Sequence, residues 1–313
     1  VKRPSRGWRI VQAVLVCAAI GFLGYRVTTN MEAIRGFPWR IDPSKLAGSL
    51  VLHVGVLVFG TFVWSRVLTR FDVPAIPPST LLRIWSTSTV ARYIPGTVWQ
   101  FVVGAKMAGR YSVDPLLLLA SLSVHVGITL ASASVVAGAM LPLYSARLPW
   151  WSVLTAPVSI VLVHPKVIDG ARGLLSRISR RELPRWRGGW TDGIGLLALN
   201  VLSWLTYGTA FWMLLASVSD LPLSTLPATV GIHALTFVAG YAAFFMPAGL
   251  GVRESALALL LGPYFPSGVA VTLSAFTRLW TIAAEIGTMI VSLSILRPPA
   301  RNVAGTKDER RQE

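Results

Sequence analysis

Apolar residues in this chain gather into long runs separated by short polar gaps. The clearest runs are Ile10 to Tyr25, Leu46 to Trp64, Leu116 to Leu141, Trp150 to Val163, Ile194 to Ala216 and Val269 to Leu296. A helix needs roughly 20 mostly apolar residues to cross a hydrocarbon core, so this pattern predicts spanning helices. Two further apolar regions are broken. Ser79 to Ala108 is interrupted at Arg92-Tyr93-Ile94-Pro95-Gly96, and Thr225 to Leu261 at Pro247-Ala248-Gly249-Leu250-Gly251. The prediction is an all-α polytopic helical membrane protein, with about six full spans plus two broken or re-entrant helical elements and six to eight crossings. One transmembrane domain covers residues 1–296, and residues 297–313 form a basic, polar cytoplasmic tail expected to be disordered.

Composition strengthens this reading. Of 313 residues, 53% are hydrophobic and 13% charged, where a soluble domain carries about 25% charged residues. The formal net charge is +16, but the Lys and Arg residues sit mainly in the gaps between apolar runs. The positive-inside rule accounts for them without a nucleic-acid partner. Lys2, Arg3, Arg6 and Arg9 precede the first run, which reads as a retained signal anchor because no cleavage site follows it. The single cysteine, Cys17, lies in that run and provides no disulfide or Cys-based metal site.

Charge in short loops sets the expected orientation. The N-terminus, the segment from Lys166 to Arg187 and the C-terminal tail are all rich in Lys and Arg, which places them in the cytoplasm. The first outer loop runs against the trend, with Arg26, Arg35, Arg40 and Lys45 facing only Glu32 and Asp42. Two cytoplasmic termini require an even number of full crossings. Six spans satisfy this if both broken regions are hairpins, the first entering from the cytoplasm and the second from outside, an inverted arrangement many transporters use. The alternative takes residues 225–246 as a full span followed by a short one.

Polar residues inside the apolar runs are the candidate chemistry. In the last run Ser274, Arg278, Thr281, Glu285, Thr288 and Ser292 recur at spacings of four and three, hence on one helical face. An ionised side chain at a helix centre costs about 2.5 to 3.5 kcal/mol on insertion scales, so Arg278 and Glu285 should face protein or water. The competing reading is a structural Arg–Glu contact between helices. Weaker stripes join Thr229, His233, Thr236 and Gly240; Asn200, Ser203 and Tyr207; and His125, Thr129 and Ser132. For these, packing and interhelical hydrogen bonding are the expected roles. The two breaks carry more weight, because unwound backbone is tolerated in hydrocarbon only beside protein or a water-filled cavity. Breaks also expose helix N-termini, which favour anions. Arg92 sits just before the first break, with Thr97 as a possible N-cap after it. Arg253 sits just after the second, beside Glu254, which could neutralise Arg253 in the empty state or be neutralised by Arg278. The pair suggests a buried phosphate site, against the plainer reading of two kinks with arginines reaching the headgroup layer.

The segments Ala91-Arg92-Tyr93-Ile94-Pro95-Gly96-Thr97-Val98-Trp99-Gln100 and Phe245-Met246-Pro247-Ala248-Gly249-Leu250-Gly251-Val252-Arg253-Glu254 resemble the two signature segments of the lysylphosphatidylglycerol synthase transmembrane family, also called flippase-like. The resemblance extends over nearly the whole chain. It implies a module of a bacterial or archaeal cytoplasmic membrane that moves a lipid or lipid-linked group between leaflets. In the multiple peptide resistance factors this module precedes an aminoacyltransferase domain. No such domain is expected here, because the largest loop is the short Lys166 to Trp190 segment.

The leading expectation is therefore a lipid flippase-like transporter. Its lipid phosphate or headgroup would meet Arg92, Tyr93, Pro95, Gly96, Thr97 and Gln100 at the first break, and Pro247, Gly249, Gly251, Arg253 and Glu254 at the second. Arg278 and Glu285 would lie along the path. The alternative is a membrane-embedded enzyme, or an accessory subunit, acting on a polyprenyl- or glycerophospholipid-linked substrate. Against an enzyme, the sequence has no Asp-x-Asp pair, no His-Glu-x-x-His and no Cys cluster, and Glu254 and Glu285 are its intramembrane acids. No metal, cofactor or catalytic residue is predicted. The expected partners are membrane lipids and, for the accessory reading, a separately encoded lipid-modifying transferase.

Overall fold

The computed structural model describes residues 21, 24–25, 28–29, 31–71, 76–91, 99–111, 113–141, 155–180, 182–183, 185–243, 249 and 251–294. They form an all-α polytopic helical protein. The expected first span lies almost wholly outside these residues, as do the first break and most of the second.

Eleven helices are described: α1 (Met31–Arg35), α2 (Pro43–Leu68), α3 (Pro78–Ala91), α4 (Trp99–Arg110), α5 (Pro115–Met140), α6 (Thr155–Leu162), α7 (Pro165–Ser179), α8 (Trp190–Ala216), α9 (Leu226–Ala242), α10 (Val252–Leu261) and α11 (Ser267–Ser294). Five segments are long and apolar enough to cross a membrane: α2, α5, α8, α11, and α9 together with the 3-10 turn before it, Leu223–Thr225. They coincide with four of the six predicted spans and with the first arm of the second broken region. Helix starts follow local chemistry. Asp42 caps α2 by accepting from the Ser44 and Lys45 amides, and Asp114 caps α5 by accepting from the Leu116 amide. In both, proline occupies the first helical position, where its missing N–H costs nothing.

Hydrogen bonds between helix ends define two poles. At one, the Asp42 amide donates to the Ser217 carbonyl at 2.7 Å, joining the start of α2 to the end of α8. At the other, the Arg187 amide donates to the Arg70 carbonyl at 2.7 Å, and Phe71 and Trp186 form an antiparallel bridge. Helices α2 and α8 therefore lie antiparallel. Trp64 near the end of α2 donates from Nε1 to Ser121 Oγ near the start of α5, so α5 begins at the second pole.

The broken regions turn back from opposite poles. Helix α3 starts ten residues after α2 ends, and α4 runs into α5, so both outer ends of this pair lie at the second pole. A Cβ on Gly104 of α4 would sit 3.6 Å from Ser88 Cβ of α3, so the two helices pack as a hairpin around the break. With 14 and 12 residues they rise about 21 and 18 Å, short of a hydrocarbon core of about 30 Å. At the first pole, Trp212 of α8 bonds Thr225 at the start of α9, and Phe265, just after α10, lies 6.1 Å ring to ring from Phe37. Helix α10 has only ten residues. The second broken region thus enters and leaves at the first pole, the hairpin arrangement, although its first arm is long enough to span.

Each pole has its own apolar core. Trp64, Val67, Leu81, Ile84, Leu118 and Leu196 pack around the first hairpin. Trp204, Phe211, Leu214, Leu257, Leu261 and Trp280 pack around the second.

Candidate functional site

The second hairpin turns because two glycines adopt backbone conformations that other residues avoid. Gly249 has φ +65° and Gly251 has φ +85°. Gly249 also rests on α9, where an added Cβ would lie 2.9 Å from the Gly240 carbonyl oxygen. That contact brings the chain directly back along α9. Helix α10 then starts at Val252 with Glu254 in its first turn, and Glu254 Oε2 accepts from the Gly251 amide at 2.7 Å. The sharp turn and the cap together place Arg253 and Glu254 beside the middle of α11.

Helix α11 meets them with its polar face. Arg278 is the twelfth of its 28 residues, about 16 Å from the helix start at 1.5 Å per residue. Ser274, Thr281, Glu285, Thr288 and Ser292 are all buried, so the stripe predicted from spacing faces protein. Arg278 Nη1 lies 3.5 Å from Glu254 Oε1, and the two side chains are 16% and 5% exposed. An Arg–Glu contact therefore exists, but Arg278 makes it with Glu254 of the hairpin. Arg253 packs its aliphatic stem on Gly240, 3.4 Å from an added Cβ there, and its Nη2 is buried with no hydrogen-bond partner among the described residues.

These side chains close on one another. Arg253, Glu254 and Leu257 of α10, with Ser274, Thr277, Arg278 and Thr281 of α11, line a cavity of about 10 Å³, the space of a single water molecule. Two guanidinium groups, one carboxylate and three hydroxyls thus share a narrow cleft nearly halfway along a spanning helix. Such a set binds oxyanions through charge-assisted hydrogen bonds.

Of the predicted site residues, Gly249, Gly251, Arg253, Glu254 and Arg278 come together here. Glu285 is 3% exposed and lies two turns beyond Arg278, away from the cleft lining. Arg92, Tyr93, Pro95, Gly96, Thr97 and Pro247 lie outside the described residues. Gln100 belongs to α4, with its side chain outside them. Thr277 and Leu257 were not singled out from sequence. Thr277 could have been, because it lies three residues after Ser274 and four before Thr281. Gly240, at the end of the His233 stripe, serves as the floor under Gly249 and Arg253.

The weaker stripes pack. Thr129 donates to Asn200 Oδ1 at 3.0 Å, and Trp204 Nε1 donates to the Thr129 carbonyl, joining α5 to α8. His53 and His233 flank Tyr207 at ring-centroid distances of 4.5 and 4.3 Å, with Trp280 4.0 Å from His53 and Phe211 4.6 Å from His233. Both imidazoles are buried in this aromatic layer.

Compared with models of known protein families and with curated proteins, the chain matches none.

Proposed function

We propose that this multi-pass helical membrane protein is a lipid flippase-like transporter that moves a phospholipid or lipid-linked headgroup between leaflets. The observation that carries the reading is the mid-membrane cleft in which Arg253 and Glu254, from a half-helix that turns back, meet Arg278 of a spanning helix. A buried ionisable cluster at that depth is costly, and in membrane proteins such clusters mark substrate paths. Discontinuous helices whose N-termini face the substrate are a common way for transporters to hold an anionic group near the midplane. The resemblance of Ala91 to Gln100 and Phe245 to Glu254 to the flippase-like family supports the same function.

The cavity is far smaller than a headgroup, so transport requires α10 to separate from α11 and admit the headgroup from one leaflet at a time. Lipid tails would stay in the hydrocarbon while the headgroup crosses along Ser274, Thr281 and the lower part of the α11 face. The second pole, which carries Arg70, Lys166, Arg172, Arg177, Arg180, Arg185 and Arg187, is the cytoplasmic one on the positive-inside rule, and the membrane is a bacterial or archaeal cytoplasmic membrane.

Reconstitution of the chain into liposomes with a headgroup-labelled phospholipid tests this function. Transbilayer movement should exceed that of protein-free liposomes, and Arg253→Ala should slow it about tenfold or more, the loss of one or more charge-assisted contacts. Movement no faster than in protein-free liposomes would refute the transporter, and wild-type rates in the variant would refute the site.

A further inference from the structure

The charges in the cleft are unevenly engaged. Glu254 uses both carboxylate oxygens: Oε2 accepts from the Gly251 amide at the start of α10, and Oε1 faces Arg278 at 3.5 Å. Its neighbour Arg253 leaves Nη2 buried and without a partner among the described residues. A helix-start amide and a guanidinium are also the groups that an incoming phosphate would seek. The carboxylate therefore already occupies an oxyanion's place, and the cavity of about 10 Å³ leaves no room for a phosphate beside it.

Resting on the reading of this cleft as an anion site, we propose that Glu254 is a built-in counter-ion: a phosphate-bearing ligand is received by Arg253 and displaces the Glu254 carboxylate from Arg278 and the Gly251 amide. Displacement lets Arg278 turn to the ligand beside Arg253 and leaves the α10 amide open to it. In the empty cleft the carboxylate offsets one of the two positive charges and weakens the repulsion between the guanidinium groups, which at this depth would otherwise draw in water. Ligand binding must work against the Glu254 contacts, and this lowers affinity while making release after transfer easier.

The simpler role for Glu254 is that of a helix cap, and chemistry separates the two. Glutamine at the same helical position also accepts the cap hydrogen bond, so Glu254→Gln retains the cap while removing the competing charge. The 313-residue chain, purified in detergent micelles, is titrated calorimetrically with two probes, inorganic phosphate and dihexanoylphosphatidylglycerol. Glu254→Gln should bind about tenfold more tightly than wild type, the effect of one charge-assisted hydrogen bond no longer competed for. Adding Arg253→Ala should abolish that gain. A gain for both probes identifies the phosphate group as sufficient, and a gain for the lipid alone identifies the glycerophospholipid headgroup.

Equal or weaker binding by folded Glu254→Gln overturns the proposal. Should that variant not fold, Glu254→Asp provides the test: the shorter acid stays in the first turn of α10, where a carboxylate is favoured, but reaches Arg278 less well. Binding tighter than wild type supports displacement, and equal or weaker binding overturns it. If Arg253→Ala loses binding but Glu254→Gln gains none, the counter-ion role fails and the transporter reading stands. If Glu254→Gln gains affinity while the liposomes show no lipid movement, the transporter reading fails and the counter-ion role stands.

Discussion

Helices α5 and α11 are alike by most measures and differ in one that matters. Both are long, central and apolar enough to span, and both bury a line of hydroxyls. On α5, Ser121, Thr129 and Ser132 donate to the carbonyls of Leu118, His125 and Thr129. On α11, Ser274, Thr277, Thr281 and Thr288 donate to those of Val271, Leu273, Thr277 and Ala284. A hydroxyl that returns its proton to its own helix is compatible with any apolar surrounding, so a stripe of Ser and Thr does not by itself mark a path. Helix α11 stands apart because it also carries a largely covered Arg278 and a buried Glu285, and because a half-helix delivers Glu254 to the first of them.

The most severe test of this contrast is Arg278→Gln. It leaves Glu254 buried without the guanidinium facing it, and removal of one member of a buried ion pair costs about 3–5 kcal/mol. Unfolding in detergent should show that loss, and Glu254→Gln/Arg278→Gln should recover most of it; no recovery would break the link between the two residues. Next comes the turn that brings them together. Gly249→Ala places a side chain at φ +65° and 2.9 Å from the Gly240 carbonyl oxygen, and should lower stability by about 2 kcal/mol through left-handed strain and crowding. Ser121→Ala removes the acceptor of Trp64 Nε1, the bond between α2 and α5. It should cost about 1 kcal/mol, in the range of interhelical hydrogen bonds in membranes, without altering phosphate binding. Smallest of all, Thr288→Val deletes a hydroxyl whose hydrogen bond among the described residues stays within α11, and should change stability by no more than about 0.5 kcal/mol. A large effect there would mean that the hydroxyl stripe has a role of its own.

Much of the fold is legible in the sequence, since a helix in hydrocarbon satisfies its backbone internally and needs only a sufficient apolar length. Leu46 to Trp64, Leu116 to Leu141, Ile194 to Ala216 and Val269 to Leu296 each have ends within four residues of those of a described helix. The ends that extend further do so where a cap and proline allow, as at Asp42–Pro43. The burial of the α11 face was legible for a similar reason: residues spaced by three and four share a side, and charged ones cannot face lipid. The pairing of Arg278 with Glu254 was open in the sequence, beside Arg253 as a second partner for Glu254 and Glu285 as a second acid for Arg278. Glu285 is the nearer acid along the sequence and lies on the same face, but seven residues of helix separate the two by about 10 Å. Glu254 is 24 positions away and adjoins Arg278 in space.

The sequence by itself determined the class of protein, four of its spans and the interruption of the second broken region, because these depend on apolar length and on local Pro and Gly chemistry. Only the tertiary structure decided that the broken regions turn back from opposite poles, that Gly249 rests on Gly240, and that Arg253, Glu254 and Arg278 close on one cavity. Those outcomes depend on how far a hairpin folds back before the next helix crosses it. That distance is set by contacts between segments, which no local pattern of residues encodes.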